Sequence, residues 1–337
     1  MNALLSYLPG KLSTRPDHEM FGNQLYANYL PRVLIELGYV VDYIDWQDTT
    51  FKPAKHYDLF IGHGGYNFKQ MAHADKNIYF STGFYWREFN RLEAERFDNL
   101  ERRRGVRLQP DRHIETDEES ALQMADGIIT LGNKVTRASY ADFMNVYAIG
   151  GMTAQAGQDL SQKDYDKGRK HFLFYSGDGA VHKGLDLLIE AFAGTDLHLH
   201  ICQDLPIPFV NVYPELEDGN IHYHRKIDIH SEMFKRLVNL CDWVISATCC
   251  EGCPSSVMEC MTHGLIPVAT RNVGIDMQAG FYMFGIVEDI RENINLVSTW
   301  DTKETQIFSE ENQSKAKNYY SPAAFSLRLK KAIEAIV

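Results

Sequence analysis

The sequence predicts an α/β protein made of two doubly wound domains, and three observations carry that prediction. At 337 residues the chain exceeds what a single hydrophobic core usually organises. Short apolar runs alternate with helical periodicity along most of it, and parallel strands need such crossover connections. The alternation also breaks once, at the polar, glycine-bearing stretch GGMTAQAGQDLSQKDYDKGR of residues 150–169, and then restarts.

In order along the first half, ALLSYL (Ala3–Leu8) reads as a strand halted by Pro9-Gly10. NQLYANYLPRVLIELG (Asn23–Gly38) carries helical periodicity and ends on a glycine. YVVDYIDW (Tyr39–Trp46), YDLFIG (Tyr57–Gly62), NIYFS (Asn77–Ser81), GIITLG (Gly127–Gly132) and VYAIG (Val146–Gly150) continue the strands. Between them, YWREFNRLEAERFDNLERRRG predicts a long helix with Trp86, Phe89, Phe97 and Leu100 on one face and Arg102, Arg103 and Arg104 at its end. Those arginines suit a helix C-terminus, and they leave open a solvated end or contact with an acceptor or a membrane surface. In the second half the strands are HFLFYSG, LHLHIC, IHYHR, WVISA and IPVAT, with helices over 183–192, 230–240 and about 255–263. Ser321–Val337 reads as a final amphipathic helix.

Composition narrows the function. Hydrophobic residues at 45% and charged residues at 23% exclude a disordered chain. No apolar run reaches the roughly 18 residues that span a bilayer, and the start does not resemble a signal peptide, so a cytoplasmic protein is expected. Six unevenly spaced cysteines make no disulfide framework and fit a reducing compartment. A formal charge of −11 argues against nucleic acid as a partner, which would need a basic face.

The richest stretch is SATCCEGCPSSVMECMTHGLIPVAT, Ser246–Thr270. Cys249, Cys250, Cys253, Cys260 and His263 run through one turn and helix, unlike the two separated ligand pairs of a structural zinc site. Buried thiols acting as small hydrophobes are the better reading, with zinc as the alternative. The frame around the sulfurs carries more chemistry. Pro254 suits a helix start, and free amides of Cys253, Ser255 and Ser256 would form a positive helix end suited to phosphate. Glu259, about one turn on, can accept the two hydroxyls of a ribose. Glu251 lies in the preceding loop, beyond a strand end where ligands of open α/β sheets collect. The constellation fits a nucleoside diphosphate carrying a polyhydroxylated group.

EGCPSSVMECMTHGLIPV resembles the Glu-x7-Glu signature of retaining nucleotide-sugar glycosyltransferases, of the family-4-like kind with the GT-B architecture. HFLFYSGDGAVHKGLDLLIEAF is similar to that family's strand, glycine and Lys-Gly-helix element, with Gly177, Lys183 and Gly184 in place. YDLFIGHGG, ADGIITLGN and VYAIGG are looser matches in the first half. The resemblance implies two Rossmann-like domains facing a central cleft: residues 1–168 on the acceptor side, 169–320 binding the nucleotide sugar, and 321–337 free to pack back on the first. It implies that Glu259 holds the ribose and Lys183 neutralises the diphosphate. It also implies that Glu251, with the amides around Gly252, contacts the transferred sugar. Arg225, Lys226 or Arg271 is expected to help Lys183 with the diphosphate's charge, the base is expected near the backbone of His224–Asp228, and Gly22 is either the glycine turn facing the ligand or an ordinary helix entry. The implied partners are a nucleotide-sugar co-substrate and a saccharide or glycolipid acceptor, with no metal or other cofactor and with peripheral membrane contact left open.

Two departures stand out. The family's arginine five residues before the lysine is Asp178 here, an anion where a diphosphate is expected. Its strand-end histidine is missing from NIYFSTG, where Ser81, Thr82 and Gly83 stand, and His63 in GHGG is the nearest substitute for a catalytic role. The alternatives are an epimerase or hydrolase on the same site, or a non-catalytic binding subunit disabled by Asp178.

Overall fold

The computed structural model describes residues 1–277 and 279–337. Six strands form the first sheet: β1 (Asn2–Tyr7), β2 (Val40–Asp45), β3 (Leu59–Gly62), β4 (Lys76–Ser81), β5 (Gly127–Thr130) and β6 (Val146–Ala148). Their order is β2-β1-β3-β4-β5-β6, and every pair is parallel. Six more form the second: β7 (His171–Tyr175), β8 (His198–Cys202), β9 (Ile221–Tyr223), β10 (Trp243–Ser246), β11 (Ile266–Thr270) and β12 (Phe281–Met283). Their order is β12-β11-β10-β7-β8-β9, again all parallel. The central strands β3, β5, β10 and β11 are buried at every residue, which is why they read as short continuous apolar runs rather than as alternating ones.

Each sheet has its own core. In the first, Leu25, Leu30, Val33 and Leu34 of the Asn23–Glu36 helix pack on Ala3, Leu5, Leu59 and Ile61. Phe325, Leu329 and Ile333 of the Pro322–Glu334 helix join the same cluster, so the chain's last helix returns to the first sheet. The two crossings between the sheets are tied together, the Thr153 amide donating to the Tyr320 carbonyl at 2.8 Å. Residues 151–153 are buried there, although their polar composition predicts an exposed linker.

The Trp86–Arg104 helix does not stay with its own half. Its Phe97 and Leu100 are buried in the core of the second sheet, among Phe172, Leu185 and Trp243. Arg96 donates to the Ala247 carbonyl at 2.9 Å, Arg103 pairs with Asp186 and Glu190, and Arg104 pairs with Glu190 at 2.9 Å and Glu215 at 2.7 Å. The basic helix end is therefore neither simply solvated nor free for a membrane: Arg103 and Arg104 are partly buried in ion pairs between the halves, and Arg102 alone stays exposed. Among the described residues no helix is long and apolar enough to cross a membrane.

One face of the second sheet carries five histidines on adjacent strands: His171 on β7, His198 and His200 on β8, His222 on β9 and His224 just beyond it. Ring nitrogens meet at 3.0 Å in the pairs His171–His200, His198–His222 and His200–His224. Burial, reinforced by the charges of neighbouring imidazoles, pulls His171 down to about 4 and His200 to about 2. His222 and His224 are lowered too, mainly by burial. Folded-state values below the unfolded value near 6.5 mean that the unfolded chain binds more protons at mildly acidic pH, so stability falls as pH drops below about 6.5. The thermal midpoint is expected to fall by roughly 5 °C or more between about pH 7 and pH 4.5. Replacing His171 and His200 with Gln should flatten that slope. A slope unchanged by the double substitution would show that the array titrates as it does in the unfolded chain.

Candidate active site

Strand order reverses between β1 and β3 in the first sheet and between β7 and β10 in the second, and ligands of open α/β sheets gather outside the carboxyl ends of strands at such points. The loops leaving these four strands hold Lys11 and Gly22, His63, Gly177 and Lys183, and Glu251 and Gly252. They face one another across the cleft and line two adjoining cavities of about 550 Å³ and about 350 Å³. Thr82, Arg112, Glu251 and Gly252 belong to both linings, so they mark the boundary between the two spaces.

The larger cavity brings together Gly22, Gly177, Lys183, Glu251, Gly252, Cys253, Ser255 and Ser256. Gly22 has φ +56° and ψ −124°, a conformation only glycine adopts readily, and it starts the Asn23–Glu36 helix opposite the Ser255 hydroxyl. Across from it begins the Ser255–Thr262 helix. Neither the Ser255 nor the Ser256 amide has a hydrogen-bond partner among the described residues. The expected free amide of Cys253 is not there: it donates to the Val273 carbonyl at 3.2 Å, with Cys253 held in the left-handed region at φ +62°. Tertiary pairing with the 271–273 turn takes up that donor.

Lys183 is buried and its ammonium contacts the Glu251 carboxylate. Burial pulls its pKa down, and the positive charge of Arg112 adds to the effect, while Glu251 in contact favours the charged form. Arg112 was not anticipated from sequence. It lies in the irregular segment after the long helix, and its amide donates to the buried Glu93 carboxylate at 3.0 Å. Its side chain passes over Gly179, where a Cβ would come within 2.9 Å of it. Lys11 completes a set of three cations around the larger cavity. Asp178, expected to oppose a diphosphate, is exposed and outside both linings, because the chain turns between Gly177 and Gly179 and sends it to solvent.

The smaller cavity holds His63 with Trp46, Tyr66 and Phe89. The His63 Nδ1 donates to the Phe80 carbonyl at 2.9 Å, which leaves Nε2 as the acceptor. Burial lowers its pKa, so the ring is neutral near pH 7. Thr82 stands on the border of the two cavities in the place where the resemblance expects a histidine.

Two expected ligand residues are not in either lining. Arg225 is exposed just past β9, in the left-handed region at φ +59°. Glu259 faces inward on the Ser255–Thr262 helix, wholly buried, with neither carboxylate oxygen hydrogen-bonded among the described residues. Burial pushes its carboxyl up to about 8, and the Thr153 hydroxyl opposes this without reaching hydrogen-bond geometry.

All six cysteines are free and buried. Cys260 lies in the core of the second sheet and Cys253 against Met258, at 3.4 Å, but Cys249 and Cys250 converge with His182. A wider groove, about 1210 Å³, runs along the Trp86–Arg104 helix. It contains Cys249 and Arg271 but none of the expected donor-binding residues, so the smaller cleft, which gathers them, is the better candidate site.

No protein-family profile and no curated protein sequence matches the chain. Solved structures do match it. Sucrose-phosphate synthase from Thermosynechococcus elongatus aligns with a TM-score of 0.66 at 12% identity, over 99% of this chain and 98% of that one. The lipopolysaccharide outer core galactosyltransferase WaaB, in its apo form, aligns with a TM-score of 0.64 at 10% identity over 99% of each chain. HepE of Anabaena, in complex with UDP and glucose, aligns at 0.55 and 14% identity over 99% of this chain and 100% of its own. At such identities the likeness is one of fold. The chain has the GT-B fold, two Rossmann-like domains whose strand ends face a common cleft.

Proposed function

We propose that this protein is a glycosyltransferase of the retaining, Glu-x7-Glu kind. It would move a glycosyl group from a nucleoside-diphosphate sugar to a saccharide or glycolipid hydroxyl, with no divalent metal at the diphosphate. One observation carries the reading. Lys11, Arg112 and Lys183 surround a cavity at the switch points whose wall includes the unpartnered amides of Ser255 and Ser256. Cations and helix-end amides together are the chemistry of diphosphate binding. The names of the fold neighbours, a sucrose-phosphate synthase and a galactosyltransferase among them, support glycosyl transfer, and the UDP and glucose bound to HepE support this class of donor.

In this reading the larger cavity takes the nucleoside diphosphate and the smaller one, with its aromatic rings, takes the acceptor. Glu251, on the border of both, orients the transferred sugar. The bond from the anomeric carbon to the phosphate oxygen breaks while a bond to the acceptor oxygen forms on the same face, and the acceptor proton passes to the departing phosphate. Lys183 and Arg112 stabilise the charge that develops on the leaving group, the work a metal performs in other transferases. Neutral His63, with Nε2 free to accept, orients a hydroxyl of sugar or acceptor. The two unpartnered oxygens of Glu259 lack donors, and the vicinal hydroxyls of a ribose would supply them once the first turn of its helix shifts.

The reading is tested by incubating the protein with UDP-, GDP- and ADP-sugars and a panel of saccharide acceptors, and by following product configuration by NMR. The expected product keeps the donor's anomeric configuration, and its rate is unchanged by added Mg²⁺. Sugar release without an acceptor would favour a hydrolase, and inversion would exclude the retaining class. Glu259→Gln gives a second test. An amide accepts at only one oxygen, so ribonucleotide affinity should drop roughly ten-fold while a 2'-deoxy nucleotide loses much less. The same change should raise the midpoint of the free protein near pH 8, because a carboxyl whose folded value is raised costs stability as pH rises from its unfolded range towards about 8. Equal losses for ribo and deoxyribo ligands would remove Glu259 from the ribose site.

A further inference from the structure

Behind the Lys183–Glu251 pair, on the side away from the cleft, lies a second cluster that the proposed transfer reaction does not use. We propose that His182, Cys249 and Cys250, with Glu93 as a fourth ligand, bind one structural metal ion of the zinc class. The ion would fasten together the loops that carry Lys183 and Glu251.

The distances fit. Cys249 Sγ lies 3.9 Å from Cys250 Sγ and 3.4 Å from His182 Nδ1, and His182 Nδ1 lies 3.4 Å from Glu93 Oε1. The ligand atoms of the first three residues all fall within 4.8 Å of one another. A tetrahedral zinc with bonds of about 2.3 Å to sulfur and about 2.0–2.1 Å to nitrogen needs ligands roughly 3.4–3.8 Å apart. The three-residue set closes by rotation about the Cys250 side chain, and Glu93, which meets His182 but lies outside that set, has to turn towards the sulfurs to complete the tetrahedron.

The hydrogen bonding fits as well. The His182 Nε2 donates to the Cys250 carbonyl at 2.8 Å, so in the neutral ring the lone pair is on Nδ1, the atom turned to the sulfur and the carboxylate. Metal-bound histidines are commonly held by such a bond from the other nitrogen. With that tautomer, Nδ1 and Glu93 Oε1 present lone pairs to each other, a conflict that either a proton on the ring or a bound metal cation removes. Glu93 is wholly buried and its Oε2 has no partner among the described residues, a cost that an adjacent cation would offset. Phe84 and Phe89 close the cluster, Phe89 stacked on the His182 ring at 4.7 Å, which gives a metal site its dry shell. Cys249 also lines the groove along the Trp86–Arg104 helix, and that is the entry path.

The ligands come from three places: Glu93 from the helix that crosses between the halves, His182 from the loop after β7, and the two cysteines from the loop after β10. Each of the latter loops carries its cleft residue next in sequence, Lys183 after His182 and Glu251 after Cys250. Binding releases the protons of both thiols to solvent and leaves the diphosphate chemistry untouched.

The test measures metal and thiols rather than activity. Protein purified from zinc-supplemented cells should carry about one zinc per chain by elemental analysis. After chelation under reducing conditions, Co²⁺ should restore thiolate-to-cobalt charge transfer and tetrahedral d–d absorption, saturating at about one equivalent. Zinc should raise the thermal midpoint of the chelated protein. Cys250→Ser should weaken cobalt binding and cut the charge-transfer band by about half or more, whereas Cys202→Ser should keep it. If Cys250→Ser fails to fold, the wild-type zinc content and cobalt spectrum decide alone. Folded protein that carries no zinc and shows no cobalt charge transfer in excess Co²⁺ overturns the proposal and leaves the thiols as packing.

Discussion

Lys183→Ala is expected to lower the affinity for UDP or GDP by about ten-fold to a hundred-fold or more, because a charge-assisted hydrogen bond contributes roughly 1.5–3 kcal/mol. In the free protein the Lys183 ammonium contacts Glu251, so an incoming diphosphate has to compete with that carboxylate. Glu251→Gln should therefore tighten binding of a nucleoside diphosphate without its sugar, while turnover with the complete donor falls sharply. Opposite signs for binding and turnover separate a role for Glu251 at the sugar from a purely structural ion pair. Arg112→Ala should weaken the same nucleotides, with Asp178→Arg having little effect, since Arg112 lines the cavity and Asp178 does not. Calorimetry on these four variants checks the set. Wild-type affinity in Lys183→Ala would take Lys183 out of the diphosphate site.

Gly252→Ala is expected to reduce turnover by roughly a hundred-fold or more while changing nucleoside-diphosphate affinity far less. A Cβ at Gly252 would overlap the Thr82 carbonyl and come within 2.5 Å of Gly83 Cα, and these are backbone atoms of the opposite half that cannot rotate away. The two loops must separate, and Glu251 moves with its neighbour. The cations and amides around the larger cavity remain, apart from the shift itself, so the loss should appear in kcat rather than in nucleotide binding. Near-normal turnover in Gly252→Ala would show that contact between residue 252 and the Thr82-Gly83 turn has no part in the reaction.

The Trp86–Arg104 helix gives these effects a mechanical context. In a GT-B arrangement the halves meet across a cleft, and here a helix from the first half buries Phe97 and Leu100 in the core of the second. Its buried Glu93 bonds the amide of Arg112, so the same helix also places a cleft cation. Relative motion of the halves must carry that helix along or break its ion pairs with Asp186, Glu190 and Glu215.

The sequence by itself determined the two-sheet α/β architecture, since fully buried parallel strands such as Gly127–Thr130 and Ile266–Thr270 must read as short apolar runs between crossovers. It also points to the loops that line the cleft, because Gly22, Lys183, Glu251 and Ser255 lie at strand and helix ends, where local periodicity stops. Three things were decided only by tertiary structure. The Thr302–Asn318 helix buries Thr305, Ser309, Asn312 and Ala316, a helical stripe of small and polar residues that hydropathy does not register, because its contacts are hydrogen bonds such as Ser309 to the Gly264 carbonyl at 2.6 Å. Arg112 and His182 carry no motif, and only the packing of a helix from one half into the other sets them beside Lys183 and the paired cysteines. The Cys253 amide before the helix and the Glu259 carboxylate about one turn into it both read in sequence as groups free for a ligand, yet the amide is taken by Val273 and the carboxylate is buried without a partner among the described residues. Residue order specifies which groups are near a strand end; the long-range contacts of the folded chain decide which of them stay unpaired and available to a ligand.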